Sequence, residues 1–133
     1  GLADLADAGT VALCAATAPC GRYAAQALAA AGVAIPEASV TRGVDARATI
    51  ASVTTGDADA AVVYVTDAAA AGSAASTVRI PDSVNAVAVY PIATLRGARA
   101  PSVSRAFVAA LLSRRSQAVL RAAGFLPATS PKP

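Results

Sequence analysis

The chain contains no histidine, methionine or tryptophan, and only two cysteines. Without histidine, a His-based catalytic triad and His-ligated metal centres are excluded, and two cysteines alone do not build a zinc site. Aromatic residues are 4% of the chain, too few for base-stacking platforms. The net charge is only +3, and its arginines are scattered, with Arg114 and Arg115 the one adjacent pair. Nucleic acid is therefore not an expected partner. Charged residues are scarce at 14%, against 56% hydrophobic, which excludes a disordered chain. No apolar run reaches the length of a membrane span. Neither an initiator methionine nor a basic leader precedes Gly1-Leu2-Ala3-Asp4, so the chain reads as a processed or excised piece of a longer protein.

The acidic residues are equally uninformative for catalysis. Asp4, Asp7, Glu37, Asp45, Asp57, Asp59, Asp67 and Asp82 fall at caps and surface turns, and no acid–base pair follows from their spacing. No enzymatic activity is expected.

What the chain does have is an alternation of short apolar runs and alanine-rich helical patterns. Its 133 residues suffice for a domain with a real core. Leu2 to Asp7 reads as a short helix, Val11–Cys14 as a buried strand, and 21–31 as a helix stopped by Gly32. A short strand is expected over 39–41. A helix over 45–53 has Asp45 as N-cap and Gly56 just past its end. Residues 60–65 form the clearest strand pattern, and Thr66-Asp67 cap a short helix through Ala71. Strands are expected over 76–80, 85–90 and 92–95, with Pro91 marking an edge or a crossing between sheets. Two helices close the chain, 102–113 and 116–123, the second ended by Gly124 with Phe125 folding back. The tail 130–133 is expected to be loose. Strands alternating with helices imply an α/β sandwich around a mostly parallel sheet.

The most informative stretch is Ala18-Pro19-Cys20-Gly21-Arg22-Tyr23-Ala24, which follows an apolar strand and opens a helix. A helix start carries unpaired backbone N–H groups and the positive end of the dipole, so it can receive an anion. The loop at 43–47 offers a second such start, and Tyr64 places a phenol at the end of a third strand. In an open α/β sheet, ligands sit at the carboxyl ends of strands. Most helix starts hold only water or a capping side chain, and a strand-end tyrosine more often packs than contacts a ligand.

Cys14 and Cys20 leave two readings open. In a cytosolic protein Cys14 is a buried small hydrophobe and Cys20 a loop thiol. In an exported protein they can bridge, contributing about 2–3 kcal/mol in the chain-entropy model. A nucleophilic or redox role for Cys20, at a helix start beside Arg22, is a weaker alternative, since neither a CxxC spacing nor a base is present.

The ordered set Leu2-Ala3-Asp4-Leu5, Val11–Cys14, Ala18–Ala24, Gly56–Asp67, Tyr90-Pro91-Ile92-Ala93 and Ser116–Phe125 resembles the periplasmic molybdate-binding proteins of bacterial ABC importers, which belong to the type II periplasmic binding proteins. The resemblance implies a three-layer α/β sandwich lobe with a mostly parallel sheet and a crossing strand. It maps 1–84 onto the second of two lobes, and 85–133 onto a crossing strand and C-terminal helices. The family's first lobe, with its two serine contacts, has no counterpart here. The resemblance further implies a tetrahedral oxyanion, molybdate or tungstate, bound by the backbone N–H of Cys20, the backbone N–H of Ala46 and the hydroxyl of Tyr64. No cofactor is implied, and no metal site, because molybdenum arrives as an oxyanion. The implied partners are the missing lobe and an ABC transporter permease, and the implied location of the full-length protein is extracytoplasmic, in the periplasm or as a cell-surface lipoprotein. A small-anion sensor domain of a transcription regulator shares the fold and is the alternative. With one lobe absent, weak anion binding or none is expected, as is self-association through an exposed edge strand at 85–95.

Overall fold

The computed structural model describes residues 1–128 and divides into two compact units, Gly1–Ala88 and a second unit starting at Val89. The first unit is built on three parallel strands, β1 (Val11–Cys14), β2 (Val40–Gly43) and β3 (Ala60–Ala61), in the order β2-β1-β3. Val11 pairs with Val40 on one side and Ala60 on the other. All four residues of β1 are buried, as expected of a central strand covered on both faces. Helix α1 (Pro19–Ala30) connects β1 to β2, and α2 (Ala46–Thr54) connects β2 to β3. The chain moves outward in the first connection and back across β1 in the second. Right-handed crossovers then put α1 and α2 on opposite faces of the sheet. The apolar core on one face comprises Val11, Leu13, Ala24, Leu28 and Val62. The chain is thus an α/β protein with a parallel sheet between helical layers.

The helix ends follow their sequence signals. Ala31-Gly32-Val33, Thr55-Gly56-Asp57 and Ala123-Gly124-Phe125 all make the same closure. Val33, Asp57 and Phe125 donate to Leu28, Ser52 and Leu120 at 2.8–3.0 Å, while the preceding glycines have φ of +67°, +84° and +93°. This is the Schellman arrangement, and glycine reaches that φ without a Cβ penalty.

Several expectations are corrected. Helix α1 starts at Pro19 rather than Gly21, because proline at the first helical position needs no hydrogen-bond partner. The strand expected over 60–65 pairs only at Ala60–Ala61, with one more bond from Val62 to Ala12 at 3.2 Å. Its remaining residues turn into α3 (Val65–Ala71), for which Tyr64 is the N-cap. Residues 75–100 hold no helix or strand, so the strands expected at 76–80, 85–90 and 92–95, and with them the crossing edge strand, are absent from the described residues. Their β-forming side chains have no neighbouring strand to pair with, and propensity alone does not make a ladder. Helices α4 (Pro101–Leu111) and α5 (Arg114–Ala122) belong to the second unit, where the Tyr90 and Phe125 rings meet edge to face at 6.1 Å. The tail at 130–133 lies outside the described residues.

Candidate functional site

Three chain segments leave the sheet at its carboxyl edge. The first is the loop from β1 to α1. The first intrahelical bond of α1 runs from the Arg22 amide to the Ala18 carbonyl, 3.1 Å. The amides of Cys20 and Gly21 therefore precede it, and no side chain caps this end. The second is the short turn from β2 to α2. Asp45 caps α2 by accepting from the Ala48 amide at 2.8 Å, as its position predicts. The amides of Ala46 and Arg47 remain ahead of the first intrahelical bond, which the Thr49 amide donates to the Asp45 carbonyl at 3.0 Å. The third is the turn after β3 at Tyr64. The Tyr64 ring stands edge to face against that of Tyr23 on α1, 6.2 Å between centroids. Tyr64 and Cys20 line one small hollow of about 30 Å³, room for about one water.

The parallel sheet thus brings the two helix openings and the strand-end tyrosine to one edge. The link between the second and third segments is electrostatic as well. Asp67, in the first turn of α3, has its carboxyl raised above the ordinary range, chiefly by burial. The Asp67 and Tyr64 backbone donors oppose this, Asp45 adds to it, and Arg47 opposes it. The start of α3 therefore lies within electrostatic reach of the opening of α2. The edge carries backbone donors and a phenol, with Arg22 and Arg47 near the starts of α1 and α2.

Cys14 and Cys20 are joined by a disulfide, with 5.8 Å between their Cα atoms. No thiol is left in the chain. A thiolate nucleophile at Cys20 is accordingly not available in this state. Among the described residues no group of three or more Cys, Asp and Glu side chains is placed to hold a metal ion.

A larger hollow, about 290 Å³, lies between α1 and β2 and reaches the α1 opening at Ala16, Gly21 and Arg22. Leu13, Leu28, Ile35 and Val40 line it together with Glu37 and Arg42. Arg42 is already engaged, donating to both Glu37 carboxylate oxygens at 2.9–3.1 Å and to the Cys14 carbonyl at 3.3 Å. The same bond holds the Glu37 carboxyl below its ordinary range. The hollow's second cation, Arg22, donates to the Thr17 carbonyl at 3.0 Å, so a largely apolar lining with both guanidiniums engaged is a poor receptor for a dianion.

Sequence reasoning missed Thr49 and Gly43. Thr49 is fully buried, and a Cβ on Gly43 would lie 2.4 Å from its Oγ1. The available signal was the Gly43-Val44-Asp45 run, a glycine immediately before a helix cap.

The family model described as bacterial extracellular solute-binding protein matches residues 1–126. Three curated relatives, one from Mycobacterium bovis and two from strains of Mycobacterium tuberculosis, are named molybdate-binding protein ModA. Each is 32% identical to this chain over 124 residues, which is 92% of the chain and 47% of the relative. The chain spans about half the length of these curated relatives. With the α/β architecture and the match over nearly all its residues, the chain belongs to the bacterial extracellular solute-binding protein family.

Proposed function

We propose that this chain supplies one face of an oxyanion site for molybdate or tungstate, in an extracytoplasmic capture protein that delivers its ligand to an ABC transporter permease. The proposed donors are the backbone N–H groups of Cys20 and Ala46 and the hydroxyl of Tyr64. The observation that supports the reading is that two helix openings lie at the carboxyl edge of one parallel sheet, in a chain whose relatives are named for binding molybdate.

The chemistry supports the same ligand. Molybdate is a dianion at neutral pH with four acceptor oxygens and no proton to donate. Neutral amides at helix openings match that pattern, since each adds a donor and a share of the dipole field. No fixed cation is required. The disulfide supports an exported capture protein over a cytosolic sensor, because such bonds persist in oxidising compartments. Since the chain spans about half of its relatives, its donors approach the anion from one side, and affinity is expected to be weaker than micromolar.

Titration of the isotopically labelled chain with sodium molybdate, followed by amide chemical shifts, tests this reading. Saturable shifts are expected at Cys20, Gly21, Ala46 and Arg47. Tyr64→Phe should weaken the fitted affinity about tenfold or more, the worth of one hydrogen bond to a charged group. Shifts confined to other residues, or none at millimolar molybdate, would refute the assignment.

A further inference from the structure

Two buried groups at the carboxyl end of β1 play no part in contacting an anion. Cys14 ends β1, is fully buried, and is bonded to Cys20, the second residue of α1. Thr49, in α2, is also fully buried, an unusual place for a hydroxyl. Its Oγ1 donates to the Asp45 carbonyl at 2.7 Å and lies 3.3 Å from Cys14 Sγ. A hydroxyl has one proton, so the shorter bond takes it and the sulfur contact is close packing. From one helix opening to the other runs a continuous chain of contacts: Cys20, the disulfide, Cys14 and the Thr49 hydroxyl, all buried, and the carbonyl of Asp45, the exposed residue that caps α2.

The backbone closes on both ends of that run. A Cβ on Gly21 would lie 2.2 Å from the Ala15 carbonyl oxygen, and one on Gly43 would lie 2.4 Å from Thr49 Oγ1. Each helix opening is therefore already in close contact with the strand end beside it.

We infer that the Cys14–Cys20 bridge and Thr49 form a strut that sets the spacing between the openings of α1 and α2. Cys14 and Thr49 are then positioning residues. The functional consequence rests on the anion-site reading above: donors held at fixed spacing discriminate oxyanions by size, so a slack strut costs selectivity for molybdate over sulfate.

Amide hydrogen exchange of the full chain tests the strut without any ligand. The amides of Ala18 and Arg22 report the opening of α1, those of Ala48 and Thr49 the opening of α2, and Val33 serves as the reference for global opening. Thr49→Val keeps the volume and removes the hydroxyl. It should raise exchange at Ala18 and Arg22 at least tenfold relative to Val33, and Thr49→Ser should restore most of the protection. The double variant Cys14→Ala/Cys20→Ala should do the converse, raising exchange at Ala48 and Thr49. If each variant disturbs only its own helix opening, or neither, the strut is refuted. If the double variant loses protection at Val33 and unfolds, the Thr49 pair decides alone. Shift titrations with molybdate and sulfate provide the second readout, where Thr49→Val should shrink the ratio of the two dissociation constants severalfold. A chain that binds neither anion refutes the anion reading, while the exchange data still judge the strut.

Discussion

Gly21 shows how tightly one position can be specified in this chain. It is the third residue of α1, and a Cβ there would meet the Ala15 carbonyl oxygen at 2.2 Å and the Cys14 carbonyl oxygen at 2.9 Å. Both are backbone atoms of the strand end, which cannot swing aside as a side chain would. Gly21→Ala is expected to destabilise the chain by about 2–3 kcal/mol, the usual cost of overpacking a close contact, read as a lower urea midpoint at unchanged slope. A midpoint equal to that of the parent chain would show that the helix can lift off the strand without penalty. Gly21 was legible as part of a helix start but not as a contact, because the carbonyl it meets is brought there by the strand's own path. Asp45 was legible in full, since an N-cap is a local relation between a side chain and an amide three residues on. Thr49 was not, because its burial depends on the end of β1 packing beneath α2.

The α2 and α3 helices pack against each other, and burial of Asp67 at the start of α3 gives the fold a dependence on pH. Asp67 holds its proton more tightly in the folded chain than its ordinary value of 3.8, chiefly because burial disfavours the carboxylate. The folded state therefore binds more protons than the unfolded state as pH rises from 3.8 through the raised value, and stability is lost over that window. Glu37 acts in the opposite sense. Its carboxyl is lowered by the hydrogen bond from Arg42, so its contribution is present above 4.5 and lost as pH falls through the lowered value. Asp67→Asn should remove the first effect and leave the second, so the variant's stability should rise more steeply with pH than the parent's across about pH 3.5 to 6. Superimposable profiles would show that Asp67 titrates as it does in the unfolded chain. The helices themselves were well marked in the sequence, because caps and glycine stops are local signals. The strands were overextended. An apolar run such as 60–65 does not say where pairing stops and the next helix begins. The runs at 76–80 and 85–95 carry β-forming residues with no strand placed beside them.

The parallel sheet of the first unit ends at β2 on one side and β3 on the other, each paired only with β1 among the described residues. Beyond it, Val87, Val89, Tyr90, Ile92 and Leu95 expose large apolar side chains in a stretch with no regular structure. Helix α4 exposes Val103 and Phe107, and Leu112 follows it, also exposed. The self-association expected from an edge strand at 85–95 needs a different basis, since that strand is absent among the described residues. Exposed apolar surface supplies it. Exposed apolar side chains of this size drive association when nothing covers them. The unpaired flanks of β2 and β3 add donors and acceptors for another copy. The chain is therefore expected to self-associate, with a mass by light scattering that rises with concentration. Val89 and Leu95 are 76% and 78% exposed, so Val89→Lys/Leu95→Lys removes apolar surface without emptying a core. That variant should stay monomeric to higher concentration with unchanged helix content by circular dichroism. A parent chain that remains strictly monomeric at high concentration, or a variant that associates as readily, would place the association surface elsewhere or deny it.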